Sequence, residues 1–176
     1  MSTKEEHTVY FQEQQQFRQI WLWLLLIVVS ALSSGTVLWI ATGGVVLGED
    51  AMSTNGLTSL AVISVTMNAL ILALFFTMRL TVEVSTSGLF VQFKPLHRKV
   101  RKIELKDVTL VESITYSALL EYGGYGIRKR RKATAYNVSG NQGVRIHYEN
   151  GYHYLIGSSR PDALAQAINA YLAQKA

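Results

Sequence analysis

At 176 residues the chain is one compact domain, or one small domain with a further element attached. Hydrophobic residues make up 49% and charged residues only 16%, below the roughly 25% charge of soluble globular chains, which points to a membrane protein. The absence of cysteine excludes disulfides, thiolate nucleophiles and Cys-ligated metal sites, and a net charge of +5 is modest enough that its placement matters more than its sum.

Residues 1–19 form a polar cytoplasmic segment in which Tyr10, Phe11 and Phe17 stand among glutamines. The stretch Tyr10 to Gln19 reads as an extension of the following helix or as a segment lying along a membrane interface. Residues 20–41 carry no charge and, at 1.5 Å per residue, span about 30 Å as a helix, the thickness of bilayer hydrocarbon. The run is too long for a signal peptide and has 19 polar-rich residues before it, so it reads as a first transmembrane helix. A second uncharged run, closed by Arg79, gives a second span over 57–79. The external loop between them, 42–56, holds Glu49 and Asp50 and no Lys or Arg, whereas 15 basic residues follow Met78. By the positive-inside rule the protein is a multi-pass protein of the cytoplasmic (inner) membrane with both termini cytoplasmic. Trp21 and Trp23 then fall at the inner interface and Trp39 near the outer one.

Within the spans, Ser30, Ser34 and Gly35 on the first helix, and Ser64 and Asn68 on the second, are the candidate intramembrane contacts. Small residues let helices approach closely, and Asn68 near mid-bilayer needs a hydrogen-bond partner that hydrocarbon does not offer. The expected partner is the first helix, with another protein or a second copy as the other reading. Neither span contains a charge, which weighs against an ion or proton pathway.

From Leu80 the periodicity changes to two. Leu80, Val82 and Val84 alternate with polar residues, Ser87-Gly88 marks a turn, and Leu89, Val91 and Phe93 alternate again, which is a hairpin. Further strands are legible near 101–105, 107–115, 134–138, 143–149 and 152–156, the last two joined by Asn150-Gly151 as a two-residue turn. Ser159 to Asp162, with Pro161, reads as a capped helix start, and Leu164, Ile168, Tyr171 and Leu172 follow at helical spacing.

Seven short strands and a C-terminal helix over 80–176 resemble the pleckstrin-homology-like (PH-like) fold. The whole chain resembles a prokaryotic family of two-span membrane proteins of unknown function with a cytoplasmic PH-like domain. Glu13, Phe17-Arg18-Gln19 and Trp21-Leu22-Trp23 carry this resemblance at the first span. In the β region it rests on Gly124 to Arg128, with Tyr125 where tryptophan is expected, on Ala135 to Gly140, on Gly143-Val144, and on Leu155 to Ser158 with Pro161 beyond. The resemblance implies an α+β membrane protein: a two-helix hairpin, then a seven-stranded antiparallel sandwich or barrel with a capping helix. It implies no reaction.

Little catalytic chemistry is legible, and no catalytic, cofactor-binding or metal-ligating residue is assigned. With a two-residue turn at Asn150-Gly151, Tyr148 faces His153 and His147 points to the opposite sheet face, so a shared metal site would need a bulge. The glycines at 123, 124 and 126 do not open a helix after a strand, and the Asn137-Val138-Ser139 sequon lies on the inner side by topology. The distinctive feature is basic: Lys94, Arg98, Lys99, Arg101 and Lys102 form one cluster, and Arg128, Lys129, Arg130, Arg131 and Lys132 another. If the strands alternate in direction away from the membrane, both clusters are loops at the membrane-proximal end. There they would attract anionic phospholipid at up to about 1 kcal/mol per residue. Nucleic acid is not expected as a partner, because few aromatic residues stand beside the second run. These features suggest a non-enzymatic, membrane-anchored interaction module, an accessory or scaffold subunit of a larger inner-membrane assembly. The alternative is a sensor of anionic lipid.

Overall fold

The structure is a computed structural model that describes residues 8–42 and 54–175. Lys4, Glu49 and Asp50, and most of the expected external loop, lie outside the described residues. The chain divides into two compact units, Arg18–Thr77 and a discontinuous unit made of the chain up to Phe17 together with everything from Met78.

The first unit is a pair of helices, α1 (Ile20–Ala41) and α2 (Thr54–Thr77). Both are long and apolar enough to cross a membrane. Most of their large side chains are exposed, Trp21 and Trp39 among them, apart from a half-buried face that includes Leu22, Leu26 and Val37 on α1. Asn68 joins the helices: its Nδ2 donates to Oγ of Ser33 and of Ser34, each at 3.0 Å, and to the Ser64 carbonyl one turn back. Trp23 and Phe76 meet edge to face. Ser34 and Ser64 thus sit at the seam, whereas a Cβ at Gly35 would meet nothing within 4 Å, so Gly35 does not line it.

The second unit contains nine strands among the described residues, in two sheets, where seven strands in a sandwich or barrel were expected. The first sheet has the order β1-β2-β3-β4, with β1 Val9–Gln16, β2 Arg79–Ser85, β3 Gly88–Lys94 and β4 Arg101–Ile103, all antiparallel. The second has the order β5-β8-β9-β7-β6, with β5 Val108–Thr115, β6 Gly126–Arg130, β7 Ala133–Asn137, β8 Gln142–Tyr148 and β9 His153–Gly157. Only the β7–β9 pair is parallel. A single-turn helix α3 (Ala118–Tyr122) precedes β6, and α4 (Pro161–Lys175) closes the chain.

The segment before α1 is therefore a strand, neither a helical extension nor an interfacial segment. Alternation explains why: Phe11, Glu13 and Gln15 pair with Val84, Val82 and Leu80, whose side chains face the core. Phe11 is buried, and so is Glu13, whose carboxylate accepts three hydrogen bonds. Ser158 Oγ (2.5 Å), Ser159 Oγ (2.6 Å) and the Ser159 backbone N–H (2.9 Å) are the donors. Because Ser159 turns towards Glu13, the expected capping box is replaced, and the Arg160 N–H donates to Ser158 Oγ instead. The core is built from the inward faces of both sheets, including Leu80, Val91, Phe93, Ile146 and Ile156, and from Leu164 and Ile168 of α4, all fully buried.

Candidate functional site

The outer face of the second sheet carries its own small core and a group of cations. Tyr116, Ala118 and Tyr122 pack on Ala133, Ala135 and Leu155, so the α3 segment covers part of that face. Burial raises the Tyr116 hydroxyl to about 12. α3 is held at its N-terminal end: Ser117 Oγ accepts from the Leu120 N–H, and Glu121 Oε1 accepts from the Ser117 N–H at 2.7 Å. The other Glu121 oxygen pairs with Arg145 Nη2 at 2.8 Å, tying the helix to β8.

The two histidines belong to this same face, which corrects the sequence reading. The Gly151 N–H donates to the Tyr148 carbonyl and the Tyr148 N–H to the Tyr152 carbonyl, with Gly151 at φ +72°. That is a three-residue loop with a bulge, not a two-residue turn, and Gly151 supplies the left-handed residue it requires. A one-residue shift exchanges sheet faces, so His147 becomes the direct partner of His153, with ring centroids 5.9 Å apart. Each already has a protein partner: His147 Nε2 lies 2.8 Å from Glu112 Oε1, and His153 Nε2 lies 3.2 Å from the Tyr122 hydroxyl. Burial lowers the affinity of His153 for a proton, and Arg145 and His147 lower it further. Among the described residues no group of three or more acidic or imidazole side chains is placed to hold a metal ion.

The second basic cluster is not a loop. Arg128, Lys129 and Arg130 lie on β6, and only Arg131 and Lys132 form the turn to β7. This additional strand reverses the chain once more than the sequence reading allowed. The turn therefore lies at the strand end shared with Tyr148 and His153, opposite the end where Gly157 accepts a hydrogen bond from Gln15. Alternation also divides the run. Arg128 and Arg130 share the outer face with Ala135 and Ala133, whereas Lys129 points to the other face with Ile127. The Arg128 and Arg130 guanidinium groups lie against Gly124 and Gly123. None of the five residues from Arg128 to Lys132 has a carboxylate partner among the described residues.

The first cluster is elsewhere: Lys94 ends β3, Arg98 and Lys99 follow in the connection, and Arg101 and Lys102 lie on β4. Lys94 pairs with Arg79 and Arg79 with Gln16, so this group begins at the sheet end through which the chain joins α1 and α2. His97 in this connection is driven towards its neutral form by burial, with Arg101 and Lys129 adding to the effect.

A concavity of about 830 Å³ opens on the outer face, lined by Glu121, Tyr122, Arg130, Arg131, Lys132, Ala133, Arg145 and His153. It brings together four cations against one carboxylate, and that carboxylate is engaged by Arg145. Charge on this scale, held on β6, the turn that follows it and β8, attracts an anion and offers several N–H donors to it. Arg145 and His153 were not legible as part of the site, because their side of the sheet depends on the bulge at Gly151. Comparison of the sequence with known protein families and with curated proteins finds no match.

Proposed function

We propose that the protein is a non-enzymatic interaction module anchored in the cytoplasmic membrane. In this reading α1 and α2 cross the bilayer, both termini are cytoplasmic, and the β unit is a PH-like domain serving as an accessory or scaffold subunit of a larger membrane assembly. The pairing of β1 with β2 supports the hairpin, because strands on either side of the two spans must share a compartment to pair. The observation that carries the partner reading is the exposure of Leu119 (71%) and Leu120 (86%) on α3, an apolar pair left uncovered on the outer face. Asn68 is bonded within the hairpin, so the β unit rather than the spans is where this reading places the contact.

A second reading, recognition of anionic phospholipid, is favoured by the cations from Arg128 to Lys132, none of which has a carboxylate partner among the described residues. Purification of the full chain in mild detergent, followed by mass spectrometry of protein and lipid, separates the two. A stoichiometric membrane protein supports the first reading, and retained anionic lipid without protein supports the second. A reporter fused after residue 176 that is active only outside the cytoplasm would overturn both.

A further inference from the structure

We infer that the concavity between α3, the β6–β7 turn and β8 is a phosphate-binding site, with Arg130, Arg131, Lys132 and Arg145 as its cationic ligands. The inference rests on the anionic reading above and sharpens it from a diffuse charge to one site. Three features set this concavity apart from the rest of the basic surface. Arg145 on β8 faces three consecutive cations, Arg130 at the end of β6 and Arg131 and Lys132 in the turn after it, whereas Lys94, Arg98 and Lys99 are spread along one connection. Tyr122 and His153 also line it, with the hydroxyl and Nε2 3.2 Å apart, and Arg145 Nε is buried without a hydrogen-bond partner. Arg145 is also held in place before any ligand arrives, because Glu121 and Tyr122 both bond its Nη2. Guanidinium groups match the spacing of phosphate oxygens, so a site with three arginines and a lysine favours phosphate over a single carboxylate.

The phosphate could be presented on a lipid headgroup or on a small soluble phosphomonoester. Leu119 and Leu120 project from the same helical turn as Glu121 and Tyr122, and apolar side chains beside a basic site suit a ligand carrying acyl chains.

The test uses the full chain in neutral detergent. Binding of dioctanoyl phosphatidic acid, dioctanoyl phosphatidylcholine and glycerol 3-phosphate is measured by calorimetry at low salt. Two variants of equal charge loss are compared: Arg130→Gln/Arg131→Gln/Lys132→Gln in the concavity and Lys94→Gln/Arg98→Gln/Lys99→Gln outside it. Near-ultraviolet dichroism of the tyrosines checks that each is folded, and the single variant Lys132→Gln serves if the first triple is not. The expected result is phosphatidic acid binding weakened roughly tenfold or more by the concavity triple, and less than about threefold by the outer one. Lys132→Gln alone should weaken it by roughly threefold. Tighter binding of phosphatidic acid than of glycerol 3-phosphate, reduced by Leu119→Ser/Leu120→Ser, identifies a lipid source; equal binding of the two identifies a soluble one. Equal losses in both triples would overturn the site while leaving a diffuse anionic surface intact. Wild-type protein that binds anionic vesicles but none of the phosphate probes would likewise overturn the site and spare the broader reading. Failure to bind either would remove both.

Discussion

Replacing Glu13 by alanine removes the acceptor for three hydrogen bonds that join β1 to the chain entering α4. Hydrogen bonds to a charged group contribute about 1.5 to 3 kcal/mol each, but these three share one carboxylate and the serine hydroxyls can rotate to other acceptors, so they do not add. The Ser159 N–H has no such freedom. The expected loss is about 3 kcal/mol, which for a unit of this size lowers the midpoint of thermal unfolding by about 10 °C or more. Glu13→Gln keeps the shape and one oxygen and should lose about 1 kcal/mol. Gln12→Ala, one position away on the exposed face, should stay within about 0.5 kcal/mol of wild type. The assay is convenient because all nine tyrosines lie in the β unit and all three tryptophans in α1. Near-ultraviolet tyrosine dichroism of the full chain in detergent therefore follows β-unit unfolding, and tryptophan fluorescence follows the helices. A Glu13→Ala protein that melts with the wild type would refute the view that β1 is fastened by this carboxylate. It would also restore the picture of an N-terminal segment independent of the β unit.

Asn68→Leu should destabilise the helix pair by about 0.5 to 2 kcal/mol, read as an earlier tryptophan transition in denaturing detergent; an unchanged transition would mean that the bonds to Ser33 and Ser34 contribute nothing. A Cβ at Gly143 would stand 2.5 Å from the Ile156 carbonyl oxygen, so Gly143→Ala should cost the β unit at least about 2 kcal/mol in urea unfolding, and a neutral outcome would show that β8 and β9 are farther apart than described. His97 and His153 both bind protons less readily when folded than the ordinary value of 6.5 implies. The unfolded chain therefore takes up more protons, and β-unit stability should be full above about pH 6.5 and fall below it; stability that rises on acidification from pH 7 to pH 5.5 would contradict this.

Composition and uninterrupted apolar length made α1 and α2 legible as helices long and apolar enough to cross a membrane, because a helix solvated by hydrocarbon must be apolar on every side. Strict alternation likewise made the β2–β3 hairpin legible, and the spacing of Leu164, Ile168 and Tyr171 made α4 legible, since each of these elements buries one face against the core. β1 was hidden because the residues at its inward positions include Glu13 and Gln15, which read as solvated until Ser158, Ser159 and the Gly157 carbonyl supply their partners. β6 was hidden by its charge: an edge strand tolerates Arg128, Lys129 and Arg130 because its outer side needs no covering, so a strand and a basic loop look alike in one dimension. The two histidines and Arg145 were placed by a single left-handed residue, Gly151, whose bulge shifts the register by one and with it the face of every side chain on β8 relative to β9. Local pattern therefore fixed which segments are apolar and periodic. Only the pairing of strands distant in sequence decided which charges converge, because register is a property of two strands together and belongs to neither alone.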